Sequence, residues 1–500
     1  MAYIIVKKRP CFVKLIIFTF VLSFFCISLY GAQKREFRGA WIHIVGNNII
    51  RTMSTAKVQR MFVEALDSIE SAGCNAVIFQ IRPTADAFYS SSIEPWSRYL
   101  TGVQGKTPEP FWDPLKFMID ECHKRGMEIH AWCNPYRVTL NSYDTLCSNH
   151  IYFTNPNIFV KYGKQIYFNP GEPASREFTV KVVADIVRRY NIDAIHFDDY
   201  FYPYPIAGVK FNDDAAFAKY AAKQGFLNRA DWRRYNVELL IKEINDTVKM
   251  IKPWVRFGIS PFGIHRNKKD TPNGTGSDTN GLSNYDELFA DVPNWAAKGY
   301  IDYYVPQLYW EIGHKRADFK TLIKWWDKQH IRGQLYIGQS ISTMKKQIKH
   351  KIELSRNLKN ISGNVWWPGW SIVANSNKIT DSLRLKYQKY KALVPAYSQL
   401  DSVLPCAIEN ITKMGRVIEW QQNLLDVSNP MQQALFYAIY CFPKGVQADI
   451  TNNKYLLKLT PNSTFNVIEE NPQHVAGCSY VITVIDRCWN ESKPSKIMWF

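Results

Sequence analysis

From residue 36 to about 393, short apolar runs alternate with longer stretches whose apolar positions recur at helical spacing. Phe37–Ile44, Asn75–Gln80, Glu128–Trp132, Ala194–Phe197, Arg256–Ser260, Tyr303–Val305, Leu335–Gly338 and Asn364–Trp367 read as strands. Residues 54–72, 113–125, 174–190, 232–251, 285–298, 318–330, 344–358 and 380–391 read as helices. Asp113-Pro114 is a helix start and Gly126 a stop, and Pro253 ends the long segment at 232–251. This alternation predicts an α/β fold, a closed (β/α)8 TIM barrel over residues 33–393. An open doubly wound sheet is the alternative, but GTGSDTNG at 274–281 lacks the preceding strand that a phosphate loop needs. Residues 394–404, with Pro395, read as a linker. Beyond Pro405 the helical period vanishes. GRVIEWQ, ALFYAIYCF and SYVITVID alternate with turns such as SNP, which predicts a small all-β sandwich over residues 405–500.

The first 32 residues follow neither pattern. Lys7, Lys8, Arg9 and Lys14 precede an apolar run from Leu15 to Tyr30, and Gly31-Ala32 follow. That order predicts a secretory signal peptide and an exported protein. Cys26 follows Phe24 and Phe25, a poor setting for lipid attachment.

Composition adds a partner class. The chain of 500 residues is too long for one ordinary core, and its aromatic content is 14%. Its formal charge is +18, with four of the cations in the N-terminal stretch. A basic exported protein favours an anionic polymer. No nucleic-acid motif or dense Lys/Arg block is present, so a cell-wall glycan bearing carboxylates fits better than nucleic acid. Envelope association is left open. The cysteines show no metal-type spacing, and Cys478 with Cys488 is the most plausible disulfide.

The chemistry concentrates at NIDAIHFDDYFYPYP, residues 191–205. Asp198 and Asp199 stand where a buried strand ends, and four aromatics suited to sugar faces follow. A solvated acidic turn is the plainer alternative. Other strand ends carry polar and aromatic groups too: His43, Arg82, Asp86, His130, Trp132, Asn134, Arg137, His196, Ser260, His265, Gln307, Tyr309, Trp310, Glu311 and Trp367. Glycoside hydrolysis needs two carboxyl groups across the scissile bond. Successive strand residues point to opposite sides, so one of Asp198 and Asp199 should reach substrate while the other pairs with Arg or His. The second catalytic carboxylate is then expected from Asp86 or Glu311, with Glu94 behind them and Asp86 preferred. Arg82 and Arg137 are the expected anion contacts. Tyr200, Tyr202, Tyr309 and Trp310 are expected to stack sugars, with His130, Trp132, Asn134, His196 and Gln307 as further substrate contacts. No cofactor or metal is expected. A non-catalytic glycan-binding barrel is one alternative. A metal-dependent hydrolase using His130, His196 and the Asp pair is another, though no tight ligand spacing supports it.

Long motifs carry a family resemblance over residues 36–350. FRGAWI, QIRPTADAFYSSSIEPWSRYLTG, DPLKFMIDECHKRGMEIHAWCNPYR, YFNPGEP, HFDDYFYPYP, FGISPFGIHRN and YVPQLYW together resemble the bacterial glycosyl hydrolase-like 10 family. The resemblance implies an exported or envelope (β/α)8 glycosidase acting on peptidoglycan strands stripped of stem peptides. Asp86, His130, Asn134, Arg137, Asp198 and Asp199 match its motif positions. His265 stands where an aromatic is expected, a departure that would alter a subsite. EWQQN, FYAIYCF and VITVIDRCWNESKPS resemble a fibronectin type III-like module.

Overall fold

The computed structural model describes residues 33–500 apart from 331, 343–345, 423–428, 472 and 475. The predicted signal peptide lies outside the described residues. Eight parallel strands form a closed barrel: β1 (Phe37–Ile42), β2 (Ala76–Arg82), β3 (Glu128–Cys133), β4 (Ala194–Phe197), β5 (Arg256–Ile259), β6 (Tyr303–Tyr304), β7 (Gln334–Ser340) and β8 (Ile361–Trp367). Pairing of β8 with β1, from Phe37 opposite Gly363 to Ala40 opposite Trp366, closes the ring. β1, β2 and β3 are buried along their whole length, as strands covered on both faces must be.

The helices outside this ring form where the apolar spacing placed them. α1 (Thr55–Ser71) turns Val58, Phe62, Leu66 and Ile69 inward. α2 (Pro114–Lys124) is capped by Asp113, whose side chain accepts from the amides of Leu115 and Lys116. α3 (Pro173–Arg189) and α4 (Arg229–Ile251) pack on one another, the second capped by Asn228. Two predicted helices are broken. Residues 285–298 split into Asn284–Glu287 and Val292–Ala297 around Phe289, whose φ is +55°. The segment 380–391 is helical only as far as Tyr387, α over Ile379–Ser382 and π over Leu383–Tyr387. An antiparallel hairpin, Phe159–Tyr162 with Gln165–Phe168, stands in the loop after β3, where no strand was expected.

The C-terminal region is a sandwich. β9 (Asn410–Met414), β10 (Val417–Gln421) and β13 (Thr464–Asn466) make one sheet. β11 (Ala434–Phe442), β12 (Leu456–Thr460), β14 (Ser479–Asp486) and β15 (Met498–Trp499) make the other. Ile411, Ile418, Trp420 and Phe465 of the first share a core with Tyr437, Ile439, Ile482 and Val484 of the second.

The two domains also share a core. Phe37, Ala76, Ile78, Tyr303 and Tyr336 from inside the barrel cluster with Tyr397, Phe436, Phe442 and Trp489. Trp489 is fully buried at φ +64°, a left-handed conformation that costs an L-residue about 1–2 kcal/mol and needs surrounding structure to hold it. Its indole N–H donates to the Glu128 carboxylate at the start of β3. Glu128 also accepts from Arg256, whose guanidinium lies 4.7 Å over the Tyr397 ring. The all-β domain thus caps the N-terminal end of the barrel. The expected linker is part of that cap: Val394 and Tyr397 are buried, and the Tyr397 hydroxyl lies 2.6 Å from that of Tyr336.

The expected disulfide does not form. All eight cysteines from Cys74 onward are free thiols, Cys478 contacts Cys441 across the β11–β14 pair, and Cys488 sits beside Asp486 at the domain interface.

Candidate active site

The C-terminal ends of the barrel strands open on a cleft of about 400 Å³ lined by Trp41, His43, Val45, Gln80, Trp132, Arg137, Asp198, Asp199, Tyr200, Tyr204, Ser260, Gln307, Tyr309 and Trp367. Both acids reach it. β4 ends at Phe197, so Asp198 and Asp199 lie beyond the pleat and strand alternation no longer separates them. This corrects the expectation that one would turn away.

Each carboxyl has its own partners. One oxygen of Asp198 accepts from Asn134 Nδ2 and, at 3.1 Å, from Trp132 Nε1. The other accepts from the Tyr200 amide at 3.3 Å. Asp199 accepts from the Tyr204 hydroxyl and from Gln307. Both acids are only 3% exposed. Burial, aided by Asp199 and opposed by Arg137, pushes the Asp198 carboxyl up to about 7. Burial also raises Asp199 against its hydrogen bonds. Two like charges this close in a buried site resist ionising together, so the pair titrates as a unit and holds a proton towards neutral pH. If that proton is the one delivered to the leaving group, kcat/KM falls as pH rises through about 7. A pH profile of kcat/KM checks this, and a plateau running well above neutrality would contradict it.

Arg137 supplies the local positive charge. Its Nε donates to the Pro83 carbonyl at 3.0 Å and its Nη2 to Asn134 Oδ1 at 2.7 Å, and its guanidinium lies 4.8 Å over the Tyr200 ring. Asn134 is thereby fixed: its oxygen also accepts from Gln80 at 3.1 Å, and its nitrogen is left for Asp198.

A hydrogen-bonded column runs below the cleft. Trp41 Nε1 can only donate, and it approaches His196 Nε2 at 3.4 Å, so that nitrogen accepts. Burial holds His196 neutral, well below its usual range, so its hydrogen sits on Nδ1 and points to the Tyr303 oxygen at 3.0 Å. The Tyr303 hydroxyl therefore donates to His130 Nδ1 at 2.7 Å, and His130 Nε2–H donates to Glu128 at 3.0 Å. At the upper end the Ser260 hydroxyl lies 2.9 Å from His196 Nε2, closer than the Trp41 indole.

Several expected site residues stand elsewhere. Asp86 is buried on the loop after β2, where Gln104 donates to it at 3.1 Å; burial pushes its carboxyl up to about 6, but it does not line the cleft. Glu311 is solvent-exposed and also off the cleft. Arg82 is fully buried and committed to Glu94 through contacts of 2.8 and 2.6 Å, so it braces the loop and meets no ligand. His130 and His196 belong to the column. Tyr202 is buried under Arg233, and Trp310 packs edge-on against Phe262 at 5.4 Å. His265 stacks on Trp325 at 5.4 Å, outside the cleft lining, so the subsite change expected from it does not fall in this cleft. The structure brings together Asp198, Asp199, Trp132, Asn134, Arg137, Tyr200, Gln307 and Tyr309, with Asn134 reaching the cleft through Asp198. Sequence reasoning missed Trp41, Gln80 and Tyr204. A Gln within an apolar strand was the available signal, since burying it demands a partner. Among the described residues, no group of three or more His, Cys, Asp and Glu is placed to hold a metal ion.

A parallel (β/α)8 barrel with two buried carboxyls and aromatic rings lining the cleft at its C-terminal mouth is the arrangement of a glycoside hydrolase. Within that class the chain belongs to the glycosyl hydrolase-like 10 family, whose model matches residues 36–355. It is 40% identical to glycosyl hydrolase YngK of Bacillus subtilis over 97% of each chain. It is 38% identical to glycosyl hydrolase DigH of Escherichia coli K12, over 61% of this chain and 73% of that one. Among solved structures it is similar to the PgaB (BpsB) glycoside hydrolase domain from Bordetella bronchiseptica, at 10% identity and a TM-score of 0.46, covering 70% of this chain and 98% of that one.

Proposed function

We propose that this protein is an exported enzyme that hydrolyses O-glycosidic bonds in peptide-free peptidoglycan strands, with Asp198 and Asp199 as the working carboxyls. One observation carries the reading: two adjacent buried acids lining an aromatic cleft, with Arg137 also in its lining. The acids supply proton transfer. The aromatic walls of Trp41, Trp132, Tyr309 and Trp367 suit the flat faces of pyranose rings. Arg137 makes its hydrogen bonds to neutral oxygens, so it remains available to an acidic sugar, such as one bearing a lactyl carboxylate. Residues 1–32 would direct export, and the capping domain would be a fibronectin type III-like module put to use as a barrel base.

The test is turnover of peptide-free peptidoglycan strands by the 33–500 protein, with and without a chelator. New reducing ends that persist under chelation are expected. Retention of the strands without any product would reject hydrolysis of this polymer.

A further inference from the structure

We propose that the nucleophile in this cleft is the substrate's own 2-acetamido group, so that the enzyme requires an N-acetylated sugar on the non-reducing side of the bond it cuts. The inference rests on glycoside hydrolysis in this cleft, but not on which N-acetylated polymer is the natural one.

Geometry is the reason. Cleavage by two protein carboxyls places them on opposite sides of the scissile bond, about 5–5.5 Å apart for retention or about 6.5–9.5 Å for inversion with a water between. Here the acids among the described cleft-lining residues are Asp198 and Asp199. They are consecutive in the chain and rise from the end of the same strand. Asp86 and Glu311, which would have faced them from other strand ends, do not line the cleft. The rest of the described lining includes aromatic rings. Trp41 meets Trp367 edge-on at 6.4 Å and Tyr309 edge-on at 6.4 Å, and Trp132 meets Trp367 at 6.1 Å. Those rings make an apolar box beside Asp198, whose carboxylate Trp132 holds. An acetamido group has the matching two ends. Its methyl fits the box, and its N–H needs an acceptor such as an Asp carboxylate.

The step balances with these groups alone. The acetamido oxygen attacks the anomeric carbon as the glycosidic C–O bond breaks. The leaving oxygen takes the proton held by one Asp. The other Asp accepts the amide N–H, so the first product is a neutral five-membered oxazoline fused to the sugar. Water then adds to the anomeric carbon and gives a proton to the first Asp, while the ring opens and nitrogen regains its hydrogen from the second. Two inversions leave the anomeric configuration retained. A neighbouring group bonded to the reacting sugar has a large advantage over a bimolecular nucleophile, with effective molarities of about 10⁵–10⁸ M.

The experiment uses the 33–500 protein with two polymers, peptide-free peptidoglycan strands and β-1,4-linked N-acetylglucosamine oligomers, each native and de-N-acetylated. A thiazoline analogue of the cyclic intermediate is titrated by calorimetry alongside. De-N-acetylation is expected to lower kcat/KM by at least about a thousandfold. Mono-, di- and trifluoroacetyl oligomers should slow progressively in kcat with little change in KM, a gradient that lost binding alone would not give. The thiazoline should bind at least about a hundredfold more tightly than the oligomer, as intermediate mimics do. Nuclear magnetic resonance of the fresh product should show retention. Cleavage of N-acetylglucosamine oligomers but not of strands would remove the strand reading and support this inference. Inversion, undiminished cleavage of de-N-acetylated polymer, or no binding of the thiazoline would overturn the inference.

Discussion

Replacing Asp198 or Asp199 with Asn is expected to lower kcat/KM by about two to four orders of magnitude, the usual contribution of a positioned acid or base. The change is nearly isosteric. An Asn oxygen at 198 still accepts from Asn134 and Trp132, and one at 199 still accepts from Tyr204. What disappears is the capacity to hold and pass a proton. An aryl glycoside with an activated leaving group separates the two roles. The variant lacking the proton donor should recover most of its rate on that substrate, because the leaving group no longer needs protonation. The variant lacking the acetamido acceptor should not. Either variant staying within tenfold of the parent would remove that residue from the working pair. Stability gives a second readout. The Asp198 carboxyl sits at about 7 in the fold against 3.8 for its ordinary value, so its contribution is fully present below about 4 and is lost as pH rises through 7. Asp198→Asn should therefore resist urea at least as well as the parent at pH 8, with any advantage shrinking towards pH 4.

Glu128→Leu should be the most destabilising substitution at the other end of the barrel, costing about 3–5 kcal/mol, as breaking a buried ion pair does. Glu128 is fully buried and accepts from Arg256, Trp489 and His130. Removing it strands the Arg256 charge, itself 1% exposed, and orphans two ring N–H groups. The double variant Glu128→Leu with Arg256→Met should recover much of the loss, because no uncompensated charge remains. Urea denaturation followed by tryptophan fluorescence checks both. A single variant costing less than about 1 kcal/mol would show that the carboxylate is not what ties the domains together.

Much of this architecture was legible in the sequence. All eight barrel strands form within the apolar runs or close to their ends, because a parallel strand buried on both faces must be continuously apolar. The Asp pair was visible for the same reason: two acids directly after such a run can only stand at its mouth. What was not legible depends on contacts distant in sequence. Nothing near Asp86 shows that Gln104 and a closed loop will bury it, or near Arg82 that Glu94 will claim it. Strand alternation misassigned Asp198 and Asp199 because it was carried two residues past the end of the pleat at Phe197. The helix expected at 380–391 stops at Tyr387, where Gln388 packs closely against Gly73 at the end of α1. The role of Trp489 was hidden most completely, since its partners lie 361 residues away at Glu128 and elsewhere in the barrel.

The shared base bears on how this enzyme can be re-engineered. A cap that only touched its neighbour could be exchanged like a handle. This one supplies a ring and a donor to the interior of the barrel, so a shortened version ending near residue 404 would expose the floor rather than trim an accessory. Replacement modules would have to bring their own indole to Glu128. Rim positions outside the cleft lining are not bound in this way, and a library aimed at new sugar preferences can vary those while Asp198, Asp199, Asn134, Arg137 and the column from Glu128 to Ser260 are kept constant.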